Sequence, residues 1–154
     1  LIDRLTSEGY DHYEISNFSL PGLYSRHNSS YWTEKKYLGC GPSAHSYNGV
    51  SRQWNVASLD TYIKGISAGT PVFEIEELDL YTRYNDFVIT RIRTEWGMPL
   101  SKLRDEFGEK LYCLRMAAPH LKQGTLELVN DILKLTRKGI FISDGIMSDM
   151  LWTD

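Results

Sequence analysis

The sequence predicts an α+β chain: the end of an incomplete α/β (TIM-like) barrel, followed by a mostly helical, winged-helix-like carboxy-terminal domain. Three observations carry this expectation. Leu1, Ile2 and Leu5 stand at helical spacing, Gly9 stops the helix, and residues 10–18 then alternate like a strand. A helix feeding a strand is the repeating unit of α/β architectures. The pairs Asn48-Gly49 and Asn130-Asp131 each separate two short strand-like runs, and such residues tolerate the positive φ of tight hairpins. From Leu78 onward the pattern turns helical, so the expected domains are residues 1–75 and 76–154.

The elements follow in order. In residues 10–18, Tyr13 and Ile15 alternate with His12, Glu14 and Ser16. A strand's period of two puts those three polar side chains on one face, as in a strand lining a pocket. Residues 20–41 read as irregular, with Pro21 and Gly22 marking a turn. Residues 44–47 and 50–54 read as paired strands. Ser58 is placed to cap a helix carrying Leu59, Tyr62, Ile63 and Ile66 and stopping near Gly69, before a short strand or connector at 71–75. Tyr81, Tyr84, Val88 and Ile92 form the stripe of the first carboxy-terminal helix. Tyr81, Tyr84, Phe87 and Trp96 read as core aromatics. A short helix is expected at 101–107 and another from Glu109 to about Lys122, kinked or shortened by Pro119. Strands at 126–129 and 132–135 come next, then a closing helix capped by Ser143.

Hydrophobic residues are 42% and charged residues 24% of the 154, an ordinary globular composition. A net charge of −3 gives no general drive towards nucleic acid or anionic membrane. Lys102, Arg104 and Lys110 alternate with Asp105, Glu106 and Glu109, so a winged-helix recognition surface here would be mixed in sign. Cys40 and Cys113 form no metal-like pair and no secreted disulfide pattern, which points to a reducing, cytoplasmic compartment. No apolar run reaches the ~18 residues of a membrane span. The chain starts in a helix tail without an initiator Met, so it is expected to be cut from a longer protein.

Three groups of residues can carry chemistry. The densest is Arg26-His27-Asn28-Ser29-Ser30-Tyr31-Trp32. His27 can ligate a metal or haem iron through a neutral ring nitrogen, and Tyr31 and Trp32 can stack on a flat ligand. Equally, the segment reads as a structural loop in which His27 and Asn28 satisfy backbone groups and Trp32 plugs the core. The second group runs from Gly39 to Ser46, where Gly41, Ser43 and His45 can line a tight pocket. It also reads as a glycine turn with His45 half-buried and Cys40 a small buried residue. The third is His12, Glu14 and Ser16, either a pocket wall or the wet face of an edge strand. His27, Cys40 and His45 match no common zinc spacing.

Taken together, these stretches resemble one family. GYDHYEISNFS resembles its strand GYxHYEISNFA, SRHNSSYW its SRHNxxYW, YLGCGPSAHS its YxGxGxSAHS, and RQWN the RxxN that follows. ITRIRTEWGMPLSKLRDEFG and LKLTRKGIFISDGIMSDML are similar to its later segments. On these motifs the chain resembles the carboxy-terminal part of the radical-SAM haem chaperones and oxygen-independent coproporphyrinogen III oxidase-like proteins. HNxxYW is the feature that distinguishes the haem chaperones from the true oxidases.

The resemblance implies a parent protein that binds S-adenosylmethionine and a [4Fe–4S] cluster on an upstream CxxxCxxC motif, and that binds haem and delivers it to a haem-requiring membrane protein. Cys40 and Cys113 do not reproduce that motif, so the chain alone is expected to hold no cluster. His27, Asn28, Tyr31 and Trp32 become the haem-site candidates, with His27 as the implied iron ligand. Glu14, Ser16, Gly39, Gly41, Ser43 and His45 become the wider pocket. The alternatives are oxidative decarboxylation of coproporphyrinogen III and, from the carboxy-terminal half alone, winged-helix nucleic-acid binding.

Overall fold

The computed structural model describes residues 1–108 and 110–153. Along the chain run α1 (Ile2–Ser7), β1 (Asp11–Glu14), β2 (Asn17–Ser19), α2 (Arg26–Trp32), β3 (His45–Tyr47), β4 (Ser51–Asn55), α3 (Leu59–Ser67) and β5 (Phe73–Glu77). Then come α4 (Leu80–Ile92), β6 (Met98–Pro99), α5 (Leu100–Phe107), α6 (Lys110–Gln123), β7 (Leu126–Val129), β8 (Ile132–Leu135), α7 (Arg137–Ile140) and α8 (Ser143–Met150). This is a mixed helix-and-sheet fold. Glu109, expected to open α6, lies outside the described residues.

The chain forms two compact units that do not coincide with the expected 1–75 and 76–154. One joins Leu1–Thr33 to Leu80–Asp154, and the other is Glu34–Asp79. The amino-terminal hairpin joins the helical unit because its backbone is stitched to the end of α4. Ile15 N–H donates to Arg93 O and Glu95 N–H to Tyr13 O, both at 3.1 Å.

In the first unit, Tyr84, Phe87, Val88 and Ile92 of α4 meet Leu100, Leu103 and Phe107 of α5 and Ile146, Met147 and Met150 of α8 in one apolar core. A three-stranded antiparallel sheet in the order β6-β8-β7 closes it. Its β7–β8 turn uses Asn130 and Asp131 at φ +52° and +64°, as the pair predicts. Tyr81 departs from the expected stripe and stays exposed at 41%. Trp96, also expected in the core, is half-buried and packs beside Tyr13 and Tyr24. Pro119 does not shorten α6, which runs on to Gln123; its ring removes only one N–H, and it faces solvent. Ser143 is not the cap of α8 but its buried first residue, and the unexpected turn α7, capped by Thr136, precedes it.

The second unit is the antiparallel sheet β3-β4-β5 with α3. Asn48 Oδ1 accepts from Val50 N–H and Ser51 N–H and closes the expected hairpin. Ser58 Oγ caps α3 by accepting from Thr61 N–H. The apolar face of that helix is open: Leu59, Ile63 and Ile66 are each more than half exposed within the chain.

Candidate functional site

The segment expected as a loop, residues 26–32, is the helix α2. Ser25 turns out of helical geometry, and its Oγ accepts from Asn28 N–H at 3.3 Å, supplying one of the bonds a helix start lacks. A helix places residues four apart on one face, so His27 and Tyr31 stand together in solvent. His27 Nε2 lies 3.3 Å from Tyr31 Oη, with the rings edge to face. Asn28 and Trp32 fall on the half-buried side. Trp32 Nε1 is buried without a hydrogen-bond partner among the described residues.

The hairpin beneath α2 corrects the expected polar strand face. Residues 10–18 form no continuous strand. β1 and β2 pair antiparallel with an irregularity between His12 and Glu14, so the polar side chains do not share a face. His12 stacks on Phe18 with ring centroids 4.3 Å apart, and its Nε2–H donates to Ile15 O. Ser16 is exposed and gives Glu14 its backbone N–H rather than its hydroxyl. Glu14 is buried and saturated. Oε1 accepts from Arg93 Nε at 2.6 Å, and Oε2 from Ser16 N–H and Asn17 Nδ2. A buried carboxylate needs such partners, because desolvation without them costs several kcal/mol, on the order of 3–5. A cleft of about 320 Å³ beside it is lined by His12, Glu14, Arg93, Glu95, Glu127 and Lys134.

Gly39, Gly41, Ser43 and His45 lie in the second unit. Gly39 is required by the backbone itself: a Cβ there would sit on His45 O. Asn55, buried on β4, holds this loop by donating to Gly41 O at 2.9 Å. Its part was not read from the sequence, although it ends the RQWN motif. Gly41 N–H donates to Tyr62 Oη. Ser43 adopts φ +56°. His45 is exposed rather than half-buried, pairs across the sheet with Trp54, and borders a cleft of about 510 Å³ shared with Val56, Val72 and Phe73. Cys40, expected to be buried, is exposed.

Two kinds of group are implied by the resemblance, and the residues answer them differently. Among the described residues, no three His, Cys, Asp or Glu side chains gather as a metal site. Haem asks for less from one segment: an accessible imidazole and aromatic surface. α2 supplies both, with an indole N–H still unpartnered behind them. The residues of α2 fit that group.

The family model described as the HemN C-terminal domain matches residues 78–142. A heme chaperone HemW from Mycobacterium tuberculosis is 35% identical over 153 residues, covering 98% of this chain and 38% of the relative. A heme chaperone HemW from Lactococcus lactis is 29% identical, covering 100% and 41%. A bovine mitochondrial radical S-adenosyl methionine domain-containing protein 1 is 28% identical over 96% of this chain. Among solved structures, coproporphyrinogen III oxidase (HemN) from Escherichia coli, described as a radical SAM enzyme, superposes with a TM-score of 0.72. It is 18% identical and covers 97% of this chain and 38% of its own, which is a likeness of fold. The chain spans about two fifths of the length of these HemW relatives.

Proposed function

This chain belongs to the radical-SAM HemW/HemN-like family and matches its carboxy-terminal part, and from that premise we propose that it carries the haem-contacting helix of a haem chaperone. The observation behind the proposal is the exposed His27–Tyr31 pair on α2, standing where the sequence spells HNxxYW. His27 would hold the iron, Tyr31 would offer aromatic surface with Trp32 packed behind it, and Asn28 or a backbone carbonyl would orient the imidazole. Bound haem supplies an open iron coordination position and a flat apolar face. The chain's residues supply the ligand and keep it oriented.

In this reading α1 and the β1–β2 hairpin are the end of an incomplete α/β barrel, and α4 to α8 with the β6-β8-β7 sheet form a winged-helix-like cap. S-adenosylmethionine and the [4Fe–4S] cluster belong to the rest of the parent protein. The receiver of the haem is a haem-requiring membrane protein, and the setting is the cytoplasm. Among the described residues no helix is long and apolar enough to cross a membrane. On α5, Arg104 pairs with Asp105 and Lys102 with Glu106, which weighs against the nucleic-acid alternative.

His27→Ala in the full-length protein tests the proposal. The expected outcome is weaker haem binding and an altered Soret band at unchanged thermal stability. Wild-type affinity with an identical spectrum would remove His27 from the iron and move the assignment to His45. Assay of coproporphyrinogen III decarboxylation by the same protein distinguishes the oxidase alternative.

A further inference from the structure

We propose that Arg93 is the positioning residue of the His27 helix: its guanidinium stacks on Trp32 while Glu14 holds that guanidinium in place. The inference rests on the haem-binding reading for its consequence, and on geometry for its substance. The guanidinium carbon of Arg93 lies 4.4 Å from the centre of the Trp32 ring, a close cation–π stack. The same guanidinium donates through Nε to Glu14, whose side chain is 1% exposed. Glu14 is itself fixed by Ser16 N–H and Asn17 Nδ2, so Arg93 is clamped to a rigid hairpin rather than free to swing.

The other end of α2 is held by the same layer. Tyr13, buried next to Glu14, receives the N–H of the capping residue Ser25 on its hydroxyl at 3.4 Å. Backbone bonds from Ile15 and Glu95 tie this strand to the segment that carries Arg93. A seven-residue helix is far below the length that is stable alone, roughly 12–15 residues. It must borrow its order from tertiary contacts. One contact that reaches its last turn is the planar face of Arg93 on Trp32. That face fixes the roll of α2 about its axis, and the roll decides where His27 and Tyr31 point.

Lysine separates this role from a merely structural one. It can still pair with Glu14 as a point charge, but it has no planar fork to bond the carboxylate and stack on the indole at once. The experiment uses the full-length protein with Arg93→Lys, the double variant Glu14→Gln/Arg93→Met, which leaves no stranded carboxylate, and His27→Ala. Haem-free protein is followed by hydrogen exchange of residues 26–33 and by thermal melting; haem binding is followed by Soret titration.

For Arg93→Lys the expected result is a near wild-type melting temperature and roughly tenfold faster exchange in α2, in line with losing a partly desolvated cation–π contact. Haem affinity should fall by a similar factor, with a displaced Soret band. The double variant should show the same changes. Unchanged exchange in α2 for both variants overturns the proposal, whatever the melting temperature does. If exchange rises but neither these variants nor His27→Ala alter haem binding, the clamp stands and the haem reading falls. If His27→Ala weakens haem while both Arg93 variants bind it normally, the haem reading stands and positioning by Arg93 is refuted.

Discussion

At the scale of single residues, two cysteines show how far environment outruns identity. Cys40 sits in solvent and Cys113 is sealed in the core. Burial pushes the Cys113 thiol from 9.0 up to about 12, because a thiolate there would have no water. The folded 154-residue chain at pH 8 should therefore expose one thiol equivalent to a disulfide reagent quickly and the second only on denaturation. Rapid modification of both without denaturant would contradict the buried placement. The sign of the pH effect on stability follows. The unfolded chain loses the Cys113 proton above its ordinary value of 9.0 while the folded chain keeps it, so Cys113 makes folding weaken as pH climbs from about 9 towards 12. A sharper residue-level constraint is Gly97, at φ +68° with Leu133 O only 2.7 Å from where a Cβ would stand. Gly97→Ala should cost about 3 kcal/mol by chemical denaturation, from strain and from displacing β8. Neither the exposure of Cys40 nor the crowding at Gly97 was legible from the sequence, since both are set by segments distant along the chain. Asn130 and Asp131 were legible, because their φ preference is local.

At the scale of elements, periodicity read well where one face is buried and badly where none is. The α4 stripe was visible because Tyr84, Val88 and Ile92 all enter one core. α2 was read as a loop because its seven residues, RHNSSYW, have no apolar stripe and none is fully buried. The local signal that existed was Ser25 as a cap, three residues ahead of the Asn28 amide it bonds. Glu14 and Ser16 were assigned to one face by a period of two that the strand break between them cancels. Of the family-implied haem candidates, His27 and Tyr31 do share an accessible face, which the helix explains and a loop would not. Ser25→Ala should weaken α2 by about 1 kcal/mol and show first as faster exchange of Asn28 N–H. Protection equal to wild type would mean that the Tyr13 hydroxyl, which accepts from Ser25 N–H, holds the helix start without the cap.

At the scale of the whole chain, the two units differ in how they are held. The first has a contiguous apolar core from α4, α5, α6 and α8, with Tyr84, Tyr112 and Trp152 packed edge to face and stacked. Polar links add to it: Tyr84 and Tyr112 donate to the carbonyls of Met150 and Leu151, and His120 bonds Asp149 at 3.0 Å. The second unit keeps its sheet through backbone pairing and the Asn48 and Asn55 side chains, but Leu78 is its one buried large apolar residue among those described. Burying apolar surface contributes about 25 cal/mol per Å², so a unit that leaves Leu59, Ile63, Ile66, Phe73 and Ile75 open forgoes most of that support. Segments with few buried contacts open at lower free energy than a packed core. Native-state hydrogen exchange on the 154-residue chain should therefore find the amides of β4 and β5 exchanging well before those of α4 and α6, by at least about tenfold. Increasing urea should leave the slow amides of the first unit protected after the second has opened. Simultaneous loss of protection in both units at one urea concentration would show instead that they unfold as a single cooperative body.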